Sequence, residues 1–308
     1  MRGAAEHWSE RAATPVSEDA QAATRQSSAQ FAGLPIGVSL GSIGATAAWW
    51  VESAKRLEAA GYRGVWSWDH FTGRGDPTVP VLEQWTILSV AAGATTRIGI
   101  GTFITNVMNR HPGLLARMAS TLQEASGGRF TLGIGIGGAP REHHAYGMDL
   151  PPVEERVARL EEAVAVIRAL WTGGPITRPS RYYPLDGAHA FPPPDPAPRI
   201  LIGGGSRAGV RLAARIGDGW AAEVDRFAEL LPAYREALAA EGRAHDDSWI
   251  ALGFGGGKTG QDALAGSEWV DDPRAAWGRY AAEDVDEVVV TARTPNDVSA
   301  LERAAARW

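Results

Sequence analysis

RILIGGGSRAGVRLAARIGDGWAAE, residues 199–223, changes period twice. RILIGGG (199–205) is apolar and rich in β-formers, as a strand buried on both faces must be. A glycine run then opens SRAGVRLAARIGDG (206–219), whose Val, Leu, Ala and Ile recur at helical spacing, and DGWAAE (218–223) is short and apolar again. On either side the same alternation continues. Strand-like runs stand at IGVSLG (36–41), GVWSW (64–68), RIGIGTFIT (97–105), RFTLGIGIG (129–137), WIALGFG (249–255) and DEVVVTA (286–292), which makes eight with the two above. Each is followed by a segment of helical period, for example TAAWWVESAKRLEAAG (46–61) and PPVEERVARLEEAVAVIRALWTGG (151–174). Several of these close on glycine, which takes the left-handed position after a helix at little steric cost. A doubly wound open sheet uses the same units, but eight strand–helix pairs favour closure, so a (β/α)8 barrel is expected over residues 34–308.

The 308 residues are 44% hydrophobic and 21% charged, an ordinary globular composition. Residues 1–33 are mostly Ala, Ser, Glu, Arg and Gln and are expected to form a disordered tail, without the apolar stretch of a signal peptide. There is no cysteine, which excludes disulfides, thiolate metal ligands and cysteine nucleophiles and makes the cytoplasm the expected compartment. A net charge of −6 offers no general attraction to nucleic acid, and no apolar run is long enough for a membrane span. The expected partner is a small-molecule substrate.

In a (β/α)8 barrel, functional residues sit where strands end. GYRGVWSWDHF (61–71) stops abruptly on Asp69 and His70, after the second strand. An Asp there either caps the next turn, satisfied by the His, or belongs to a site; position alone leaves both readings open. Trp68, beside the pair, is the tryptophan expected to wall a ring-binding site against water. GGGSR (203–207) is the best phosphate candidate, because glycines admit an anion close to the main chain and the following helix N-terminus favours negative charge.

Taken with TTRIGIGTFITNVMNRHPGLLARMASTLQEASGGRFTLGIGIGGAPREHHAYG (95–147), RLEEAVAVIRALWTGG and PRILIGGGSRAGVRLAARIGDGW, the 61–71 stretch resembles the bacterial luciferase-like superfamily. Within it, the chain is similar to the coenzyme F420 (deazaflavin)-dependent oxidoreductases over most of residues 35–292. The resemblance implies a deazaflavin ring in the barrel mouth. It implies a non-prolyl cis peptide at Phe103–Ile104 in a third-strand bulge, with Asn106 close by, and the fourth-strand end at Gly135, Gly137 and Gly138 lining the ring. It places the cofactor phosphate at Gly203, Gly204, Gly205, Ser206 and Arg207, and implies pairing of two subunits through helices near the second and third strands. His70 is then the expected proton-transfer group, with Asp69 contacting the cofactor or fixing the imidazole tautomer. Sugar-phosphate dehydrogenases of the superfamily carry an acid where Gly138 stands here, so another substrate is expected.

Other motifs weigh less. GIGIGG (133–138) matches a dinucleotide fingerprint in spacing, but a loop and a long helix follow instead of a second strand and an acid. GFGGGKT (253–259) is one residue short of a P-loop, which leaves Lys258 as a rim residue. His143, His144, His111 and His189 lack metal-ligand spacing, and no metal is expected. Two further readings stay open. One is a luciferase-like monooxygenase using flavin mononucleotide (FMN) on the same barrel. The other is a non-catalytic ligand-binding barrel, or a hydrolase using Asp69 and Glu142, which are read otherwise as solvated rim acids.

Overall fold

In a computed structural model of the chain, the residues described are 33–73, 75–254, 264 and 266–308. β1 (Leu34–Leu40) leads to α1 (Ala47–Ala59), β2 (Tyr62–Ser67) to α2 (Gln84–Ala94), and β3 (Gly99–Thr102) with its continuation β4 (Thr105–Asn106) to α3 (Pro112–Ala125). β5 (Phe130–Gly135) is followed by a short helix, α4 (Pro140–Ala145), and by α5 (Val153–Leu170). The hairpin of β6 (Ile176–Arg178) and β7 (Leu185–Ala188) precedes β8 (Arg199–Gly203) and α6 (Arg207–Ile216). Then come β9 (Gly219–Glu223), α7 (Val224–Ala240), β10 (Trp249–Phe254), α8 (Glu268–Asp271), α9 (Pro273–Ala281), β11 (Glu287–Ala292) and α10 (Pro295–Ala305).

The main sheet is parallel throughout, in the order β3-β2-β1-β11-β10-β9-β8-β5-β4, and β3 also pairs with β5 through Ile100–Phe130 and Gly101–Thr131. That last pairing closes the sheet, and the expected (β/α)8 barrel is observed. All eight apolar runs become strands, and the third is interrupted between Thr102 and Thr105, where the Phe103–Ile104 peptide is cis as expected. The β6–β7 hairpin and α4 are additions to the eight strand–helix pairs. Residues 1–32 of the expected tail and Lys258 lie outside the described residues. Among the described residues, no helix is long and apolar enough to cross a membrane.

Local chemistry explains the helix starts. Thr46 and Ser206 cap α1 and α6 by accepting the N–H groups of Trp49 and Gly209, and proline occupies the first turn of α3, α4, α9 and α10. Asp218 and Asp286, each just before a strand, accept the N–H of the neighbouring strand at Ile200 (2.8 Å) and Ile250 (2.7 Å).

Strand residues alternate between two cores. Outward side chains such as Ile36, Val65, Ile100, Leu132, Ile202, Leu252 and Val290 pack under the helices. Inward ones, Trp66, Leu201, Ala221, Trp249, Ala251 and Val289, fill the barrel, with Phe103 and Ile104 packed against them. Trp66 needs glycine on both neighbouring strands: a Cβ on Gly37 would lie 2.4 Å from its Nε1, and one on Gly101 2.2 Å from its Cε3. Its indole N–H donates to the buried carboxylate of Glu287 (2.9 Å), whose pKa is raised by burial.

Candidate functional site

The rim at the C-terminal ends of the strands carries Trp68, Asp69 and His70 after β2, Phe103 to Asn106 between β3 and α3, Glu142 on α4, the α6 N-terminus and Arg293 after β11. The interruption of the third strand determines the floor of this mouth. Phe103 lies over Gly253, where a Cβ would come within 2.5 Å of its ring, and meets Trp66 edge-on at 5.8 Å. Ile104 covers β5 and β8: a Cβ on Gly135 or Gly203 would lie 2.4 or 2.2 Å from its Cδ1.

The glycines expected to line a ring therefore divide. Gly135 and Gly203 make room for Ile104. Gly137, at φ +75°, abuts the Asn106 amide, and Gly204 lets the α6 backbone approach at Gly209. Gly138 and Gly205 face open space. Ser206 uses its hydroxyl as the α6 cap, while Arg207 is exposed in the first turn. Trp68 is half-buried with the Arg293 guanidinium 5.7 Å over its ring.

Asp69 and His70 do not form the pair expected of them. The Asp69 side chain, only 2% exposed, accepts both guanidinium arms of Arg110 at 2.7 and 3.0 Å, together with the Asn106 backbone N–H at 2.9 Å. Burial alone would lower the Arg110 pKa, but the Asp69 and Glu83 carboxylates outweigh it and hold the guanidinium above its ordinary value. Asp69 thus ties the loop after β2 to the start of α3. Its hydrogen bonds go to Arg110 and Asn106 and not to His70, so it does not steer the imidazole.

The imidazole faces Glu142 instead, with Nδ1 and Oε1 3.1 Å apart. Glu142 is no solvated rim acid: its side chain is 12% exposed and also accepts the Phe71 N–H and the Thr72 hydroxyl, each at 3.3 Å. The next residue, His143, is buried, with Nε2 2.9 Å from the Asn106 amide and Nδ1 3.1 Å from the Asp149 carbonyl. Asn106 donates besides to Asn109 and accepts the Met108 N–H, so its side chain braces the β4 turn. Neighbours on a helix point about 100° apart, which lets α4 grip the β2 loop with Glu142 and the β4 turn with His143. The sequence signal for this helix is the first-turn proline of PREHH (140–144), which the reading of Glu142 as a lone acid passed over.

A family model described as luciferase-like monooxygenase matches residues 16–301. The F420-dependent glucose-6-phosphate dehydrogenase of Beutenbergia cavernae is 36% identical over 189 residues, which is 60% of this chain and 53% of that protein. The F420-dependent hydroxymycolic acid dehydrogenase of Mycobacterium tuberculosis is 32% identical over 196 residues, 63% of this chain and 54% of the relative. The chain thus spans little more than half the length of these relatives. The structure of an F420-dependent secondary alcohol dehydrogenase in complex with an F420-acetone adduct matches with a TM-score of 0.77 at 20% identity, over 89% of this chain and 98% of that one, a likeness of fold. With the closed barrel and a family match over residues 16–301, the chain belongs to the luciferase-like monooxygenase family.

Proposed function

We propose that the protein is a coenzyme F420-dependent oxidoreductase that moves a hydride between the deazaflavin and a small organic substrate. The observation that carries this reading is one barrel mouth holding both an anion-receptive turn and a partnered imidazole. The turn fits a phosphodiester. The first intrahelical bond of α6 runs from the Val210 N–H to the Ser206 carbonyl and the Gly209 N–H goes to the Ser206 hydroxyl, so the first-turn N–H groups of Arg207 and Ala208 are left for a ligand, and nothing lies within 4 Å of where a Gly205 side chain would start. Two relatives of 32–36% identity are named for the same cofactor, which favours a deazaflavin over FMN.

In this reading Gly205, Ser206 and Arg207 hold the phosphate, and Phe103, Ile104 and Trp68 wall the ring site and exclude water. When bound, the deazaflavin supplies a carbon centre that exchanges a hydride. His70 carries the matching proton to or from a substrate oxygen or nitrogen. Asp69 and Asn106 hold the loops that present these groups. With Gly138 where an acid would serve a sugar phosphate, the substrate is read as another small organic molecule. The protein is read as a cytoplasmic homodimer whose barrel, residues 34–308, is one domain.

Titration of the protein with oxidised F420 and with FMN, followed by fluorescence, tests the reading. Saturable F420 binding tighter than FMN binding, with no oxygen consumption, is expected. Tighter FMN binding with oxygen-consuming turnover would replace it with the monooxygenase reading.

A further inference from the structure

We infer that Glu142 is the positioning residue for His70: it holds the imidazole in the tautomer protonated on Nδ1 and leaves Nε2 as the nitrogen that exchanges a proton. This rests on the proposed proton-transfer role of His70. The direction of the contact follows from Glu142's other partners. Oε2 receives the Phe71 backbone N–H, which can only donate, and Oε1 lies 3.3 Å from the Thr72 hydroxyl. A carboxylate held as an acceptor leaves the proton of the 3.1 Å contact on Nδ1 of His70. Among the described residues Nε2 has no hydrogen-bond partner.

The carboxylate is itself held in place. His143, 2% exposed, anchors α4 between Asn106 and Asp149, and on its other side Tyr146 packs against Phe71 with ring centres 5.1 Å apart. The β2 loop has a second tether in the Asp69–Arg110 pair. Removing the Glu142 carboxylate should therefore free the imidazole without releasing the loop. A group whose only service is to fix an imidazole tautomer can govern much of the rate its partner supplies.

The tautomer can be read without any cofactor. In 15N-histidine-labelled apoprotein, with the His70 signals assigned by their loss in His70→Ala, two-bond proton–nitrogen correlations should show neutral His70 protonated on Nδ1. Glu142→Ala should shift the ring toward the Nε2-protonated form, and Glu142→Gln, whose single carbonyl oxygen stays with the Phe71 N–H and whose NH2 then donates to Nδ1, should shift it there at least as far. With F420 bound, Glu142→Ala should lower kcat about 10²-fold while F420 affinity stays within about threefold, and in a His70→Ala background it should cost nothing further. An unchanged tautomer in Glu142→Ala, or a rate loss that multiplies with that of His70→Ala, would overturn the assignment while leaving His70 in its role. Parent-like turnover by His70→Ala would instead remove His70 from the chemistry, and with it the catalytic use of Glu142, whatever the tautomer.

Discussion

Asp69 and His70 are adjacent in the chain, yet they serve different ends, and their substitution should separate those ends. Asp69→Ala leaves Arg110, whose side chain is 11% exposed, with Glu83 at 2.5 Å as its remaining carboxylate. Breaking a buried pair costs about 3 to 5 kcal/mol when no partner is left. Here the surviving Glu83 contact reduces that to about 2 to 3 kcal/mol, measurable by denaturant unfolding. His70→Ala should leave stability nearly unchanged and reduce turnover about 10²- to 10⁴-fold, with a smaller effect on F420 affinity; turnover within threefold of the parent would assign His70 to structure. A third side chain reports on pH. Glu58 accepts three successive backbone N–H groups, from Thr96, Arg97 and Ile98. Partial burial alone would raise its pKa, but those bonds outweigh it and hold the carboxyl below the usual glutamate value. A carboxyl lowered by folding stabilises the fold above its unfolded pKa and loses that contribution as pH falls through its folded one. Glu58→Ala should therefore cost about 1 to 2 kcal/mol at pH 7, and parent and variant should converge in strong acid.

Among the strands and turns, glycines that look alike in the sequence do different work. Gly133, inside β5, has no room for a side chain: a Cβ would sit 2.1 Å from the Thr102 carbonyl oxygen, which belongs to the main chain and cannot rotate away. Gly133→Ala should cost about 1 to 3 kcal/mol in thermal or denaturant unfolding. Gly205, before α6, is exposed, has no neighbour within 4 Å and needs no left-handed backbone. Gly205→Ala should leave stability within about 0.5 kcal/mol of the parent. It should weaken F420 binding about tenfold, equivalent to about 1.4 kcal/mol, if the turn holds the phosphate. Unchanged affinity would move the phosphate elsewhere.

Two properties belong to the surface as a unit. Helix α2 is QWTILSVAAGA, without a charge; its Trp85, Ile87 and Leu88 are buried in the core and cannot pair two subunits, and the apolar side chain it exposes is Val90 at 51%, while Leu114 on the adjacent α3 is 54% exposed. Such apolar surface tends to be covered, and a dimer through α2 and α3 is expected; a monomer by light scattering at micromolar concentration would refute it. Arg207 and Arg211 are exposed near the phosphate turn of a protein whose net charge is −6. Exposed cations attract an anionic cofactor tail in a salt-dependent way. F420 should accordingly bind more tightly than FMN at low salt, with the gap narrowing as salt rises; calorimetry across ionic strength checks this.

The barrel could be read from the chain because apolar period and glycine punctuation are local properties: eight runs buried on both faces, each followed by an amphipathic helix, admit few architectures. The rim residues Trp68, Asp69 and His70 and the α6 turn were equally accessible, since strand ends in this fold are where a site must lie. The partners of those residues were not. Asp69 meets Arg110, 41 positions on, and His70 meets Glu142, 72 positions on, through loops whose paths no local pattern encodes. Nor does composition reveal which glycines are covered. Gly135 and Gly203 lie under Ile104, turned inward where the third strand breaks, whereas Gly205 lies open to solvent. Side-chain pairing and occupancy of the barrel mouth are set by contacts between distant segments, and those exist only once the sheet has closed.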